Sequence, residues 1–258
     1  MKENESWSLA SQQWADKPLP SGQPLPDLHL MIDFETFSTD TENGGIMGAA
    51  IVPFVLTGSI PEDAPEAEPF FRWATMESNY IENREMKSSQ KWWSEPERLR
   101  AWEAYTLATG LGAACHVRNE LEPWIMNYVD WFFRPEWDYR HYRDVYVWSR
   151  GVFDMEILVN IYKRHGRRCP VPFYRFRDVR TFLSALHFPE AEVLVSGEVI
   201  HVPHTDCLND IRAVRRAYAV LDECGFFSKV GAVSAEANRQ QLKSCVVNSR
   251  VKLYDATK

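Results

Sequence analysis

The segment LHLMIDFET, Leu28–Thr36, constrains this chain more than any other. An apolar run that reads as a buried strand passes straight into Asp33, then one aromatic residue, then Glu35. Side chains at i and i+2 of a strand project to the same face, so the two carboxylates stand side by side at the strand's end. They repel one another unless a positive charge lies between them, and a divalent metal ion supplies one. Two solvated acids at a strand end give the same short pattern. The remaining segments must decide between these readings.

Those segments describe an α/β layered domain with a mixed sheet. GAAIVPFVLTG and FFRWATM read as second and third strands of a meander, separated by the acidic, Pro-broken EDAPEAEP. REMKSSQKWWSEPERLRAWEAYTLA and VRNELEPWIMNYVDWFF turn helical, the latter spacing Leu121, Ile125, Val129 and Phe132 at helical intervals. DVYVWSR alternates as a strand and FDMEILVNIYKRHG follows as a helix that Gly166 ends. RDVRTFLSALHF and TDCLNDIRAVRRAYAVLDECG read as helices, with Thr205 or Asp206 as N-cap of the second. EVLVSGEVIHVPH between them is a hairpin or a loop.

Composition narrows the function classes. Hydrophobic residues at 45% and charged residues at 25% are ordinary globular values, and no apolar run reaches the length of a membrane span. Residues 1–27 lack the apolar core of a signal peptide and read as a loosely held arm, which predicts a cytoplasmic protein. Five scattered cysteines without a C-x-x-C pair suggest neither a disulfide framework nor a structural zinc site. The net charge of -7 argues against wholesale coating of nucleic acid, yet KRHGRR, RFRDVR and RAVRR are local basic runs.

Further acids fall where elements change. Asp154 follows the VYVWSRG strand at the start of a helix, and Asp206 and Asp210 share one face of the TDCLNDI helix with His204 at its entrance. Acids at helix starts also serve as caps and complement the helix dipole.

Taken in order, IDFET, WWSEPE, WSRGVFDMEIL, RDVRT and HTDCLNDIRAV resemble the RNase H-like 3'-5' exonucleases of the DEDD superfamily, histidine type. The branch they resemble is that of phage exonuclease A and its bacterial exoribonuclease relatives. The resemblance covers Leu28 to about Leu221 and implies an arm at 1–27, an exonuclease domain at 28–224 and a tail at 225–258. It implies an RNase H-like mixed sheet flanked by helices. It puts the metal-binding roles on Asp33, Glu35, Asp154 and Asp210. Histidine-type members carry a general base five residues before the last acid; counted from Asp210 that position is Thr205, so His204 is the expected base and His201 the runner-up. Two Mg2+ or Mn2+ ions, about 3.5 to 4 Å apart, are expected to clamp the scissile phosphate.

The implied function is metal-dependent hydrolysis of single-stranded DNA or RNA from the 3' end, in the cytoplasm, or the host cytoplasm for a phage protein. A histidine near neutrality takes the proton of the attacking water, and the basic runs hold the incoming phosphates. The alternative is a catalytically impaired module on the same fold that binds nucleic-acid ends or a protein. Phe34 is expected to face the core, and Trp92 and Trp93 to pack in the core or between helices.

Overall fold

Why Leu28–Thr36 is apolar on both alternating sets becomes clear in the computed structural model, which describes residues 26–60, 67–75, 91–134, 142–188 and 198–225. The segment is β1 (Leu28–Thr36), lying inside a six-stranded sheet with helices on both faces. Strand β2 (Ile46–Phe54) pairs antiparallel with β1, and β3 (Phe70–Ala74) pairs antiparallel with β2. The meander read from the sequence is therefore present.

Helix α1 (Leu99–Gly110) crosses to the short β4 (Ala114–Cys115), which runs parallel to β3. A π-helical turn, Val117–Leu121, then leads into α2 (Glu122–Phe132). Strand β5 (Val145–Ser149) returns parallel to β1, and α3 (Phe153–Arg164) connects it to β6 (Phe176–Asp178), parallel to β5. Helices α4 (Val179–Ala185) and α5 (Pro203–Glu223) follow β6. The sheet order β4-β3-β2-β1-β5-β6 is the mixed, helix-flanked α/β arrangement expected of an RNase H-like domain.

The period of two along β1 divides the core. Leu28, Leu30, Ile32 and Phe34 pack with Ile125 and Val129 of α2 and Ile157, Leu158 and Ile161 of α3. Met31 faces the other way, into a cluster with Val179 and Leu183 of α4 and Cys207, Ile211 and Val214 of α5. All nine residues of β2 are buried, as a strand covered on both sides requires. Asp33 and Glu35 share Met31's parity and so project toward α5. Strands β1, β5 and β6 are mutually parallel, so their C-terminal ends open on one edge of the sheet. Ligand sites in α/β sheets form at such an edge.

Two local details differ from the sequence reading, and a third agrees with it. The RFRDVR run holds a three-residue strand, β6, before its helix, and Asp178 caps α4 by accepting from the Arg180 N–H at 3.0 Å. Helix α5 starts at Pro203, before Thr205 and Asp206, with Val202 as a non-bonding N-cap. Proline fits the first helical position because its φ is preset and the missing N–H has no intrahelical role there. Gly166 does end α3, at φ 65, where the Arg167 N–H donates to the Tyr162 carbonyl at 2.9 Å. The arm up to residue 25, most of the acidic EDAPEAEP run, the front of EVLVSGEVIHVPH and the tail from 226 lie outside the described residues.

Candidate active site

Where the parallel strands end, five carboxylates converge on one cavity of about 620 Å³: Asp33 and Glu35 from β1, Asp154 from α3, Asp206 and Asp210 from α5. Helix α3 begins directly after the Arg150–Val152 turn that leaves β5, which sets Asp154 beside β1. There Asp154 accepts from the Phe34 backbone N–H at 3.0 Å. Burial raises the Asp154 carboxyl to about 7, against the relief given by that N–H. Asp206 is likewise raised to about 7, by burial and then by the Glu35 charge.

Asp33 is the most constrained of the five. Its carboxyl is held well above the usual carboxylate range by burial, then by Glu35 and Asp154. Its Oδ2 is buried and has no hydrogen-bond partner among the described residues. A buried carboxylate oxygen left without a donor is costly, and this one faces acids rather than bases. Oxygen donors in such a set suit a hard divalent cation. Single donor atoms of Glu35, His201 and Asp206 also lie within 4.8 Å of one another. The donor chemistry and the orphaned oxygen both fit a bound cation.

Around the carboxylates the counter-charges are few. Arg150 donates its Nε to Asp210 Oδ1 at 2.9 Å and also binds that oxygen through Nη2, so Asp210 is compensated from within the protein. The structure thus brings Asp33, Glu35, Asp154 and Asp210 together, and adds Asp206, which the sequence reading left out of the ligand set.

The two histidines exchange places relative to expectation. His201 lines the cavity, with Nδ1 3.7 Å from Glu35 Oε1 and its backbone N–H donating to Asp206 Oδ2 at 2.8 Å. Its φ of 60 is uncommon for a residue with a Cβ. The edges of Trp92 and Trp93 flank its ring at 5.4 and 5.9 Å between centroids. The Glu35 carboxylate beside it holds the imidazole above its ordinary value despite burial.

His204 is not among the cavity-lining residues. It packs against Phe71 at 5.8 Å between ring centroids, and burial lowers its basicity. The cause is the early start of α5: with Pro203 at the first helical position, His204 is carried onto the helix face that meets β3. A signal for this lay in the sequence. The five-residue interval implied by the resemblance is met by His201 and Asp206, one helical turn before Asp210.

The aromatic residues also divide. Phe34 faces the core, as expected, and Phe37 is fully buried against Trp102 and Tyr105. Trp93 is buried and donates its indole N–H to the Thr36 carbonyl at 3.1 Å, bracing the end of β1. Trp92 does not pack away as expected. It is 39% exposed, lines the cavity, and carries the Arg98 guanidinium 3.8 Å above its ring.

Comparison with solved structures returns exonuclease I in several complexes. The product-bound form is 13% identical, with a TM-score of 0.43, over 77% of this chain and 44% of that one. The zinc-bound complex of E. coli exonuclease I with single-stranded DNA is 12% identical, with a TM-score of 0.45, over 81% of this chain and 46% of that one. This chain thus spans less than half the length of those proteins. No curated protein matches it. Residues 28–217 match the 3'-5' exoribonuclease Rv2179c-like domain. That span takes in every carboxylate of the cavity, and the chain belongs to the family of Rv2179c-like 3'-5' exoribonuclease domains.

Proposed function

We propose that this domain removes nucleoside 5'-monophosphates from the 3' end of single-stranded RNA, in a reaction dependent on Mg2+ or Mn2+. The observation that carries the reading is the convergence of five carboxylates on one cavity, with Asp33 Oδ2 buried and without a partner among the described residues. Membership of a family of 3'-5' exoribonuclease domains supports RNA as the substrate class.

In this reading Asp33, Glu35, Asp154 and Asp206 hold the cations. A divalent cation bound there supplies the charge that acidifies water and neutralises the phosphate oxygens. His201 takes the proton of the attacking water at Nε2, while Nδ1 stays toward Glu35 and is thereby kept oriented. The water oxygen forms a bond to phosphorus, and the bond from phosphorus to the 3' oxygen of the preceding nucleotide breaks. That oxygen leaves with a proton from solvent. The Phe34 N–H fixes the Asp154 carboxylate, and Arg150 holds Asp210 so that the pocket carries less unbalanced charge. The raised carboxyls of Asp33, Asp154 and Asp206 mean that cation and protons compete for the same oxygens.

Direction of attack tests the reading. Linear single-stranded RNA labelled at the 5' end should shorten one nucleotide at a time with Mn2+ present, and stop with chelator. A circular RNA of the same sequence should stay intact; release of internal fragments from it contradicts the proposal.

A further inference from the structure

The cavity's rim carries a second cation that the hydrolytic step does not use. Arg180 is exposed, lines the cavity, and makes no ion pair among the described residues. Its neighbour in the cavity, Arg150, is committed to Asp210. The position of Arg180 is built with care. Asp178, which pairs in register with Ser149 of β5, accepts from the Gly151 N–H at 2.9 Å, the Arg180 N–H at 3.0 Å and the Thr181 hydroxyl at 2.6 Å. One carboxylate thus ties the start of α4 to the turn that delivers Asp154. Gly151 adopts φ 94, and a Cβ built on it would lie 3.7 Å from Arg180 Nη1. The guanidinium therefore lies over the bare backbone of that turn, at the edge of the carboxylate pocket.

A free guanidinium beside a metal-binding pocket has a natural ligand in this reaction. Arginine presents a planar fork of donors suited to the oxygens of a phosphate. The carboxylates and their cations account for the scissile phosphate alone. We propose that Arg180, aimed by Asp178, binds the non-bridging oxygens of a phosphodiester adjacent to the one being cleaved, so that the domain grips a strand of at least two phosphates. Asp178 is a positioning residue in this scheme. The inference rests on the exonuclease reading for which phosphate is cleaved, but not for whether Arg180 binds a strand.

Two measurements on the full chain test it. The first compares Arg180→Met with wild type on single-stranded RNA and on the p-nitrophenyl ester of thymidine 5'-monophosphate, which has one phosphodiester and no neighbour. The loss in kcat/KM on RNA should exceed the loss on the ester by about tenfold and appear mainly in KM. Arg180→Lys should recover part of it. The second is metal-free binding of single-stranded RNA in chelator, followed by anisotropy against salt. Removing one phosphate contact should reduce the slope of log K against log salt by about 0.7. Equal losses on both substrates, or an unchanged salt slope, overturn the assignment. If wild type cleaves neither substrate, the nuclease reading fails, while the salt slope still decides whether Arg180 holds phosphate.

Discussion

His201 Nδ1 stands 3.7 Å from Glu35 Oε1, so a loop histidine and a strand carboxylate far apart in sequence share one wall of the cavity. The contact raises the basicity of His201, whereas His204 sits on Phe71 with its basicity lowered. His201→Ala should therefore lose about two to four orders of magnitude in kcat, the usual size of a general-base contribution. Cation affinity, read by titration calorimetry with Mn2+, should persist. In the cation-free protein the His201 imidazole, followed by NMR, should titrate above the ordinary histidine value. His204→Ala should keep activity within about threefold and lose stability through its packing on Phe71. The reverse pattern would return the role to His204.

The carboxylates predict how the cation-free protein responds to pH. Asp154 and Asp206 are raised from 3.8 to about 7 in the folded protein, so the fold binds protons that the unfolded chain releases. Their contribution is fully present below about pH 4 and is lost as pH rises through 7. Asp154→Asn keeps an oxygen for the Phe34 N–H but removes the charge. In chelator its Tm relative to wild type should climb between pH 4 and 8. Saturating Mn2+ should raise wild-type Tm more at pH 8 than at pH 5, and the same shift at both pH values would contradict the cluster's role.

His29 predicts a slope of opposite sign, away from the cavity. It is buried, accepts the Trp148 indole N–H on Nδ1 at 2.9 Å and stacks on Tyr146. Burial lowers it to about 4 from 6.5. Neutral His29 thus supports the fold above pH 6.5, and that support is lost as pH falls toward 4. His29→Gln keeps an acceptor but cannot be charged. Unfolding free energies of the two proteins, from denaturant titrations, should converge on acidification by up to about 3 kcal/mol, the equivalent of a fall from 6.5 to about 4. Parallel curves would mean that His29 is not titrating between the two states.

Gly48 tests how the start of α5 is seated. A Cβ there would approach the Trp73 ring to 2.5 Å and Pro203 Cγ to 3.1 Å. Gly48→Ala should destabilise by about 1–3 kcal/mol, the usual cost of overpacking. Because Pro203 begins the helix that carries Asp206, kcat should fall as well; an unchanged Tm and rate would show that the contact relaxes freely.

Much of this was legible in the residues. The apolar run of β1 ending on Asp33 and Glu35, the strand at Val145–Ser149 and the helix that opens with Asp154 all follow from patterns long enough to have a period. Strand β6 did not, because three residues cannot display alternation and their face is decided by pairing with β5. The site's last wall was misread for a related reason. Asp206 has the look of an N-cap, but the true helix start is set by Pro203, whose preset φ moves the first turn upstream. That shift turns His204 toward Phe71 and leaves His201 in the loop, at a backbone angle no propensity scale suggests. Trp92 and Trp93 are adjacent and chemically identical, and only tertiary packing separates the brace from the exposed ring.

The most direct test is of Asp33, the buried carboxylate whose Oδ2 has no partner among the described residues. Asp33→Asn and wild type should be compared, at equal fold content by circular dichroism, for release of mononucleotides from 5'-labelled single-stranded RNA in Mn2+. Wild type should yield a ladder descending from the 3' end, abolished by chelator, and the variant should fall by at least about a thousandfold while melting no lower in chelator, because a repelling buried charge has been removed. Wild-type cleavage that persists in chelator, or an Asp33→Asn protein that degrades the strand at the wild-type rate, contradicts a carboxylate-held cation as the source of the activity.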